Sequence, residues 1–185
     1  MSPNAFLRMR VVGIEDGSFV KGVDKKALLV AVLFKGLRIE DVAFKWITVD
    51  GLDATEKAAE ILKRWDFEAV MLAGVSFAGF NVIDPLALSG AFHKPIVIVA
   101  RAKPDNRAVK RALMRHFEDW KRRWEVFAKL GPIHKVKVFD KEAPLYFEVV
   151  GANAEWTSQF ITSFIVCGRV PEPLRVARLI ARGLS

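Results

Sequence analysis

Apolar residues fall along the chain in two rhythms. Residues 26–34, 69–73 and 95–100 are short, nearly unbroken apolar runs, the pattern of strands covered on both faces. Residues 37–49 alternate instead: Val42, Phe44 and Trp46 interleave with Ala43, Lys45 and Ile47. Residues 10–15 read as a first strand ending in the turn Asp16-Gly17-Ser18-Phe19. The link Lys35-Gly36 is too short for a crossover, so the second and third strands are expected to form an antiparallel hairpin. The run 95–100 is expected to lie centrally and parallel to 69–73, and residues 135–139 and 145–150 read as two edge strands.

Helical spacing fills the gaps. A helix from about 53 to 65 carries Ala58, Ile61, Leu62 and Trp65 on one face, with Asp53 as N-cap and Glu56 completing a capping box. Asp84-Pro85 reads as an N-cap followed by proline at the first helical position of a helix over 85–92. Between Pro104 and Gly131, Leu113, Phe117, Trp120, Trp124 and Phe127 recur at spacings of four, three, four and three, one apolar stripe of a helical region. Residues 154–166 and 173–184 are the last two helices. An antiparallel group followed by strands alternating with helices predicts a three-layer α/β fold with a mixed sheet, in one domain spanning 1–185.

Residues 67–84 organise this pattern: a buried strand, a turn bracketed by Gly74 and Gly79, and a helix entry at Asp84. Ligands of open α/β sheets bind at the carboxyl ends of such strands, so one wall of a site is expected here. The glycine spacing is that of a P-loop, but Phe80-Asn81 stands where Lys and Ser/Thr are required, leaving nothing to reach terminal phosphates.

Charge changes the picture more than composition does. The net charge is +8, and residues 101–137 hold 12 Lys or Arg against 4 Asp or Glu, while the remaining 17 of each sign cancel. The whole excess therefore lies in one segment, as expected of a surface meeting phosphates, or of a solvated helix face. Trp120 and Trp124 interleave with Lys121, Arg122 and Arg123, but they fall on the apolar stripe, which assigns the rings to the core and the basic residues to the exterior. Cys167 is the single cysteine, which rules out an internal disulfide; among Phe164, Ile165 and Val166 it reads as a small buried residue. With no signal-peptide core near its start and no run long enough to span a bilayer, the chain is expected to be cytoplasmic and free of the membrane.

Carboxylates recur at the predicted strand ends: Glu15-Asp16 after the first, Asp50 and Asp53 after the third, and Asp84 beyond the glycine turn. Groups far apart in sequence converge there, and two or three carboxylates suffice for Mg²⁺ (or Mn²⁺). Each aspartate also has a structural reading: Asp16-Gly17 and Asp50-Gly51 as turns, Asp53 and Asp84 as caps.

Four motifs together resemble one family. Ile14-Glu15-Asp16-Gly17-Ser18-Phe19, the segment 49–55, the segment 74–84 and Pro171-Glu172-Pro173-Leu174-Arg175-Val176-Ala177 look like the archaeal "domain of unknown function 99" family, over nearly the whole chain. That family is similar to endonuclease V, a ribonuclease H-like enzyme that cuts nucleic acid near deaminated purines using Mg²⁺ held by acidic residues. The resemblance implies a ribonuclease H-like fold and a metal-dependent endonuclease acting on DNA or RNA, with Asp16 and Asp50 as catalytic metal ligands. Arg101 falls where endonuclease V carries a lysine. The pattern breaks at Ala73, where an aspartate is expected, and at Leu174, where a histidine precedes the arginine matched by Arg175. Asp84 is the carboxylate that would fill the gap at Ala73. Phosphate contacts are expected from Arg101, Arg107, Lys110, Arg111, Arg115, Lys121, Arg122, Arg123 and Arg175. Two other readings stay open: a nucleic-acid-binding protein of the same fold that has lost catalysis, and a small-molecule or protein-binding domain with the glycine turn as pocket wall.

Overall fold

The structure is a computed structural model that describes residues 3–139 and 142–185. Its centre is a seven-stranded sheet in the order β3-β2-β1-β4-β7-β9-β8. Strands β1 (Arg10–Asp16), β2 (Lys26–Lys35) and β3 (Arg38–Thr48) form an antiparallel meander, and β4 (Ala69–Leu72) and β7 (Ile96–Ala100) join it in parallel with β1. The order follows from the pattern: β2 and β4 are buried along their lengths and sit inside, whereas β3 alternates and sits at an edge. On β3 the heavier side chains face out. Phe44 and Trp46 are 54% and 53% exposed, while Ala43 and Ile47 face the core.

The far side corrects one expectation. β8 (His134–Val136) is an edge, but β9 (Leu145–Val150) lies inside, antiparallel to both β7 and β8. The sheet is thus antiparallel at both flanks and parallel only at its centre.

Alternate residues of β1 point to opposite layers. Val12 and Ile14 pack with α2 (Ala54–Leu62), α3 (Pro85–Phe92), α4 (Asn106–His116) and α5 (Trp120–Ala128). Val11 packs on the other side with the short α1 (Pro3–Phe6) and α6 (Ala154–Ser163). There α7 (Glu172–Gly183) lies across β1 and β2, and Gly13 lets Pro173 approach so closely that a Cβ would collide with its backbone. These are three layers, α/β/α, as the pattern predicts.

Three local expectations are corrected. Asp53 stands at the N-cap position of α2 but turns its carboxylate back onto the Thr48 amide (3.1 Å); the buried Asn81 side chain accepts the Ala54 amide instead (2.9 Å). The basic helical region is two helices. Phe117 adopts extended backbone between them, a break that the apolar stripe runs straight through. The helix over 154–166 stops at Ser163, so Cys167 lies exposed in the following loop, ahead of Gly168 at φ +62°.

Candidate functional site

The glycine turn is a miniature hairpin. β5 (Ser76–Phe77) and β6 (Asn81–Val82) pair antiparallel, with Ala78, Gly79 and Phe80 at the bend. Two carboxylates hold this bend, Asp16 at the end of β1 and Asp50 in the turn after β3. The Ala78 amide donates to Asp16 Oδ2 (2.6 Å) and the Phe80 amide to Asp50 Oδ1 (2.8 Å). The Asp50 amide returns a bond to the Ala78 carbonyl (2.8 Å). Asp16 and Asp50, 34 positions apart in the chain, are therefore brought to one three-residue turn.

The turn is built from rare backbone conformations. Asp50 (φ +56°), Ala78 (φ +44°) and Gly79 (φ +84°) all lie in the left-handed region. For alanine that conformation costs about 1–2 kcal/mol. At Gly79 a Cβ would fall on Asp50 Oδ1, so glycine serves both the backbone and the close approach of the carboxylate. Such strain persists only where surrounding bonds enforce it, and it gathers at functional sites.

Beside this turn lies a cleft of about 350 Å³ lined by Glu15, Asp16, Phe19, Arg101, Arg178 and Arg182. Burial, then the adjacent Asp16 charge, push the Glu15 carboxyl up to about 8. Burial also raises Asp16, against the lowering pull of the Ala78 amide. These are partly desolvated acids whose negative charge lacks full compensation from the protein. Such hard oxygen donors fit a divalent ion like Mg²⁺, which takes one or two carboxylates and keeps several waters. Among the described residues no group of three His, Cys, Asp or Glu side chains is placed to hold a metal, and the acids lining this cleft are Glu15 and Asp16.

Asp84 is corrected. Its Oδ1 accepts the amides of Leu86 (2.9 Å) and Ala87 (3.1 Å), the N-cap of α3, and it lines a different cleft with Thr55, Glu125 and Lys129. It does not restore a charge at Ala73. Glu15 is better placed to do so. Ile14 pairs with Leu72 and the Ala73 amide bonds the Ile14 carbonyl, so one further step of the parallel register sets Glu15 beside Ala73.

The basic residues divide. Arg101 lines the carboxylate cleft. Arg107, Arg111, Arg115, Lys121 and Arg122 are exposed on α4 and α5, and Lys110 lies over the Trp124 ring at 5.2 Å. Arg123 is not on that surface, a second correction. It is 5% exposed, because Nη1 donates to the carbonyls of Gly51 (2.8 Å) and Phe80 (2.7 Å) and Nε to Asp119 (2.8 Å). Arg175 is paired with Glu172 through two bonds (2.7 and 2.6 Å) and does not line the cleft. The helix α7 reaches the site through Arg178 and Arg182, one turn apart. The sequence reading passed over both, although their i, i+4 spacing marks one helix face.

This geometry can be set beside known proteins. A UPF0215 protein of Thermococcus gammatolerans is 39% identical over 180 residues, covering 94% of this chain and 90% of its own. The crystal structure of a protein of unknown function from Archaeoglobus fulgidus superposes with a TM-score of 0.84 at 28% identity, over 95% of this chain and 98% of that one. Endonuclease V of Ciona intestinalis, crystallised with a 23mer DNA containing an inosine followed by a ribo-adenosine, shares the fold with a TM-score of 0.64 at 12% identity, over 95% and 85%. The fold is accordingly ribonuclease H-like. A family model described as endonuclease dU matches residues 7–185, and the chain belongs to that family.

Proposed function

We propose that this protein is a divalent-metal-dependent endonuclease cutting nucleic acid at or near a deaminated base, with Glu15 and Asp16 as the metal-holding carboxylates and Asp50 as the acid that anchors the bend beside them. The observation that carries the reading is the pairing of two partly buried, under-compensated acids at the carboxyl end of β1 with a bend held by Asp16 and Asp50. Family membership and the endonuclease V likeness support the reaction class. When bound, the ion would supply Lewis-acid stabilisation of charge on a phosphodiester.

The chain's own residues do the rest. Arg101, Arg178 and Arg182 line the same cleft as the acids and would clamp non-bridging phosphate oxygens. The Asp16–Ala78 and Asp50–Phe80 bonds fix the carboxylates before substrate arrives, so no ordering cost falls on the reaction step. The exposed Arg107, Arg111, Arg115, Lys121 and Arg122 extend a positive surface for the polynucleotide backbone.

The test is Mg²⁺- or Mn²⁺-dependent cleavage of DNA and RNA carrying inosine or uracil, wild type beside Asp16→Asn. Cleavage by the wild type alone supports the enzyme, and equal activity in both overturns the assignment. A binding protein without catalysis is the second reading, favoured by Ala73 and by the lack of a third close ligand. It is the outcome if neither protein cuts and both retain salt-sensitive binding.

A further inference from the structure

Arg123 is the one strongly basic residue of the positive segment that is buried, and its bonds to Gly51, Phe80 and Asp119 lead toward the acidic centre or to its own anchor. Nη1 donates to two carbonyls at once. Gly51 directly follows Asp50 in the chain, and Phe80 gives its amide to the Asp50 carboxylate. The guanidinium Cζ lies 4.2 Å from the centre of the Phe117 ring, and Phe117 meets Phe80 edge-on at 5.6 Å. Asp119 takes Nε at 2.8 Å and fixes the head group from behind. Phe117 and Asp119 are the residues where the helical run breaks between α4 and α5. The interruption is therefore what lets α5 present Arg123 to the bend.

We infer that Arg123 is a positioning residue for the carboxylate centre. It clamps the Asp50–Gly51 turn to the Ala78–Phe80 bend, holds three left-handed residues in place, and through the Ala78 amide orients Asp16. It touches neither substrate nor metal. The role rests on the nuclease reading for its catalytic meaning, but the clamp itself does not. A guanidinium is suited to the task because its planar fork can serve the two carbonyls and Asp119 together, which an ammonium cannot do from one position.

Amide hydrogen exchange on the full chain reads the clamp directly. In Arg123→Ala, exchange at Ala78 and Phe80 is expected to quicken about 10-fold or more, as for a bend that has lost its anchoring network. Amides in the middle of β2 should keep their protection. Arg123→Lys should recover part of the effect, and millimolar guanidinium should restore protection to the alanine variant. With inosine-containing DNA and Mn²⁺, the single-turnover rate at saturating enzyme should drop about 10–100-fold, the range for losing an outer partner of a metal ligand. The affinity for the same DNA should stay within about twofold, since no phosphate contact is removed.

Unchanged exchange at Ala78 and Phe80 in a folded Arg123→Ala overturns the clamp. A loss confined to affinity, with the rate intact, overturns positioning and makes Arg123 a phosphate contact. Should Arg123→Ala not fold, Arg123→Lys and Asp119→Asn carry the same measurements, and wild-type exchange in both overturns the proposal. If the wild type cuts nothing, the nuclease reading has failed on its own, and the exchange result still decides whether Arg123 holds the bend.

Discussion

Two clefts flank the Asp50–Phe80 region, built from similar residues whose charges are compensated differently. The larger, about 450 Å³, holds Glu56, Asp84 and Glu125 with Arg122 and Lys129. The smaller, about 350 Å³, holds Glu15 and Asp16 with Arg101, Arg178 and Arg182. In the larger cleft the acids have local duties. Asp84 caps α3, and Glu125 bonds Lys129 at 2.7 Å, which holds its carboxyl below the usual range. In the smaller cleft both acids are raised instead. The residue inventory does not distinguish the two clefts; the compensation of the acids' charge does.

The sharpest way to break that contrast is to neutralise one acid from each cleft. Asp16→Asn should lower metal-dependent cleavage of inosine-containing DNA by about 100-fold or more, beyond what outer-sphere changes typically cost. Asp84→Asn should leave the rate near wild type. Equal losses in both would erase the distinction. The bend comes next: Gly79→Ala places a side chain at φ +84° against Asp50. It should cost at least about 1–2 kcal/mol in denaturant unfolding and lower cleavage together with stability.

A smaller effect tests the larger cleft's structural role. Asp84→Ala removes a helix cap and should cost about 1 kcal/mol by the same unfolding measurement, with metal-dependent activity retained. The smallest is a pH effect on the metal-free protein. Burial and the neighbouring Asp16 push the Glu15 carboxyl up from its ordinary 4.5 to about 8, so the folded state holds its proton more tightly. Its contribution is full below about pH 4.5 and is lost as pH rises through about 8. Buried Glu148 acts in the same direction. Thermal melting in EDTA should therefore show stability falling across that window, and Glu15→Gln should flatten the fall. A rise in stability with pH over the same window in the wild type, absent in Glu15→Gln, would show that the cleft compensates Glu15 after all.

Much of the architecture was legible because it is written locally. Lys35-Gly36 forces the β2–β3 hairpin, and the unbroken apolar runs mark β4 and β7 as interior. The cap at Asp84 was equally local, and its two amide bonds match the reading of Asp84-Pro85. What escaped depends on contacts distant in sequence. Arg123 sits in a run of three basic residues and reads as surface, yet its burial is decided by carbonyls 72 and 43 positions earlier. One signal was present: Arg123 lies three residues after Trp120 and four before Phe127, on the apolar stripe itself. β9 read as an edge because nothing in its own residues says that β8 will pair outside it. At Ala73 the local reading asked which later carboxylate fills a gap in β4, whereas the parallel register offers Glu15 from the neighbouring strand.

The exposed Cys167 has a practical consequence. It is the single thiol in 185 residues, and it lies in the loop between α6 and α7, ahead of the helix that carries Arg178 and Arg182. A fluorophore or spin label can be attached there in one step, with no competing cysteine to remove. The label would report on α7 from outside the cleft, so binding of a test polynucleotide could be looked for without altering any residue that lines the cleft.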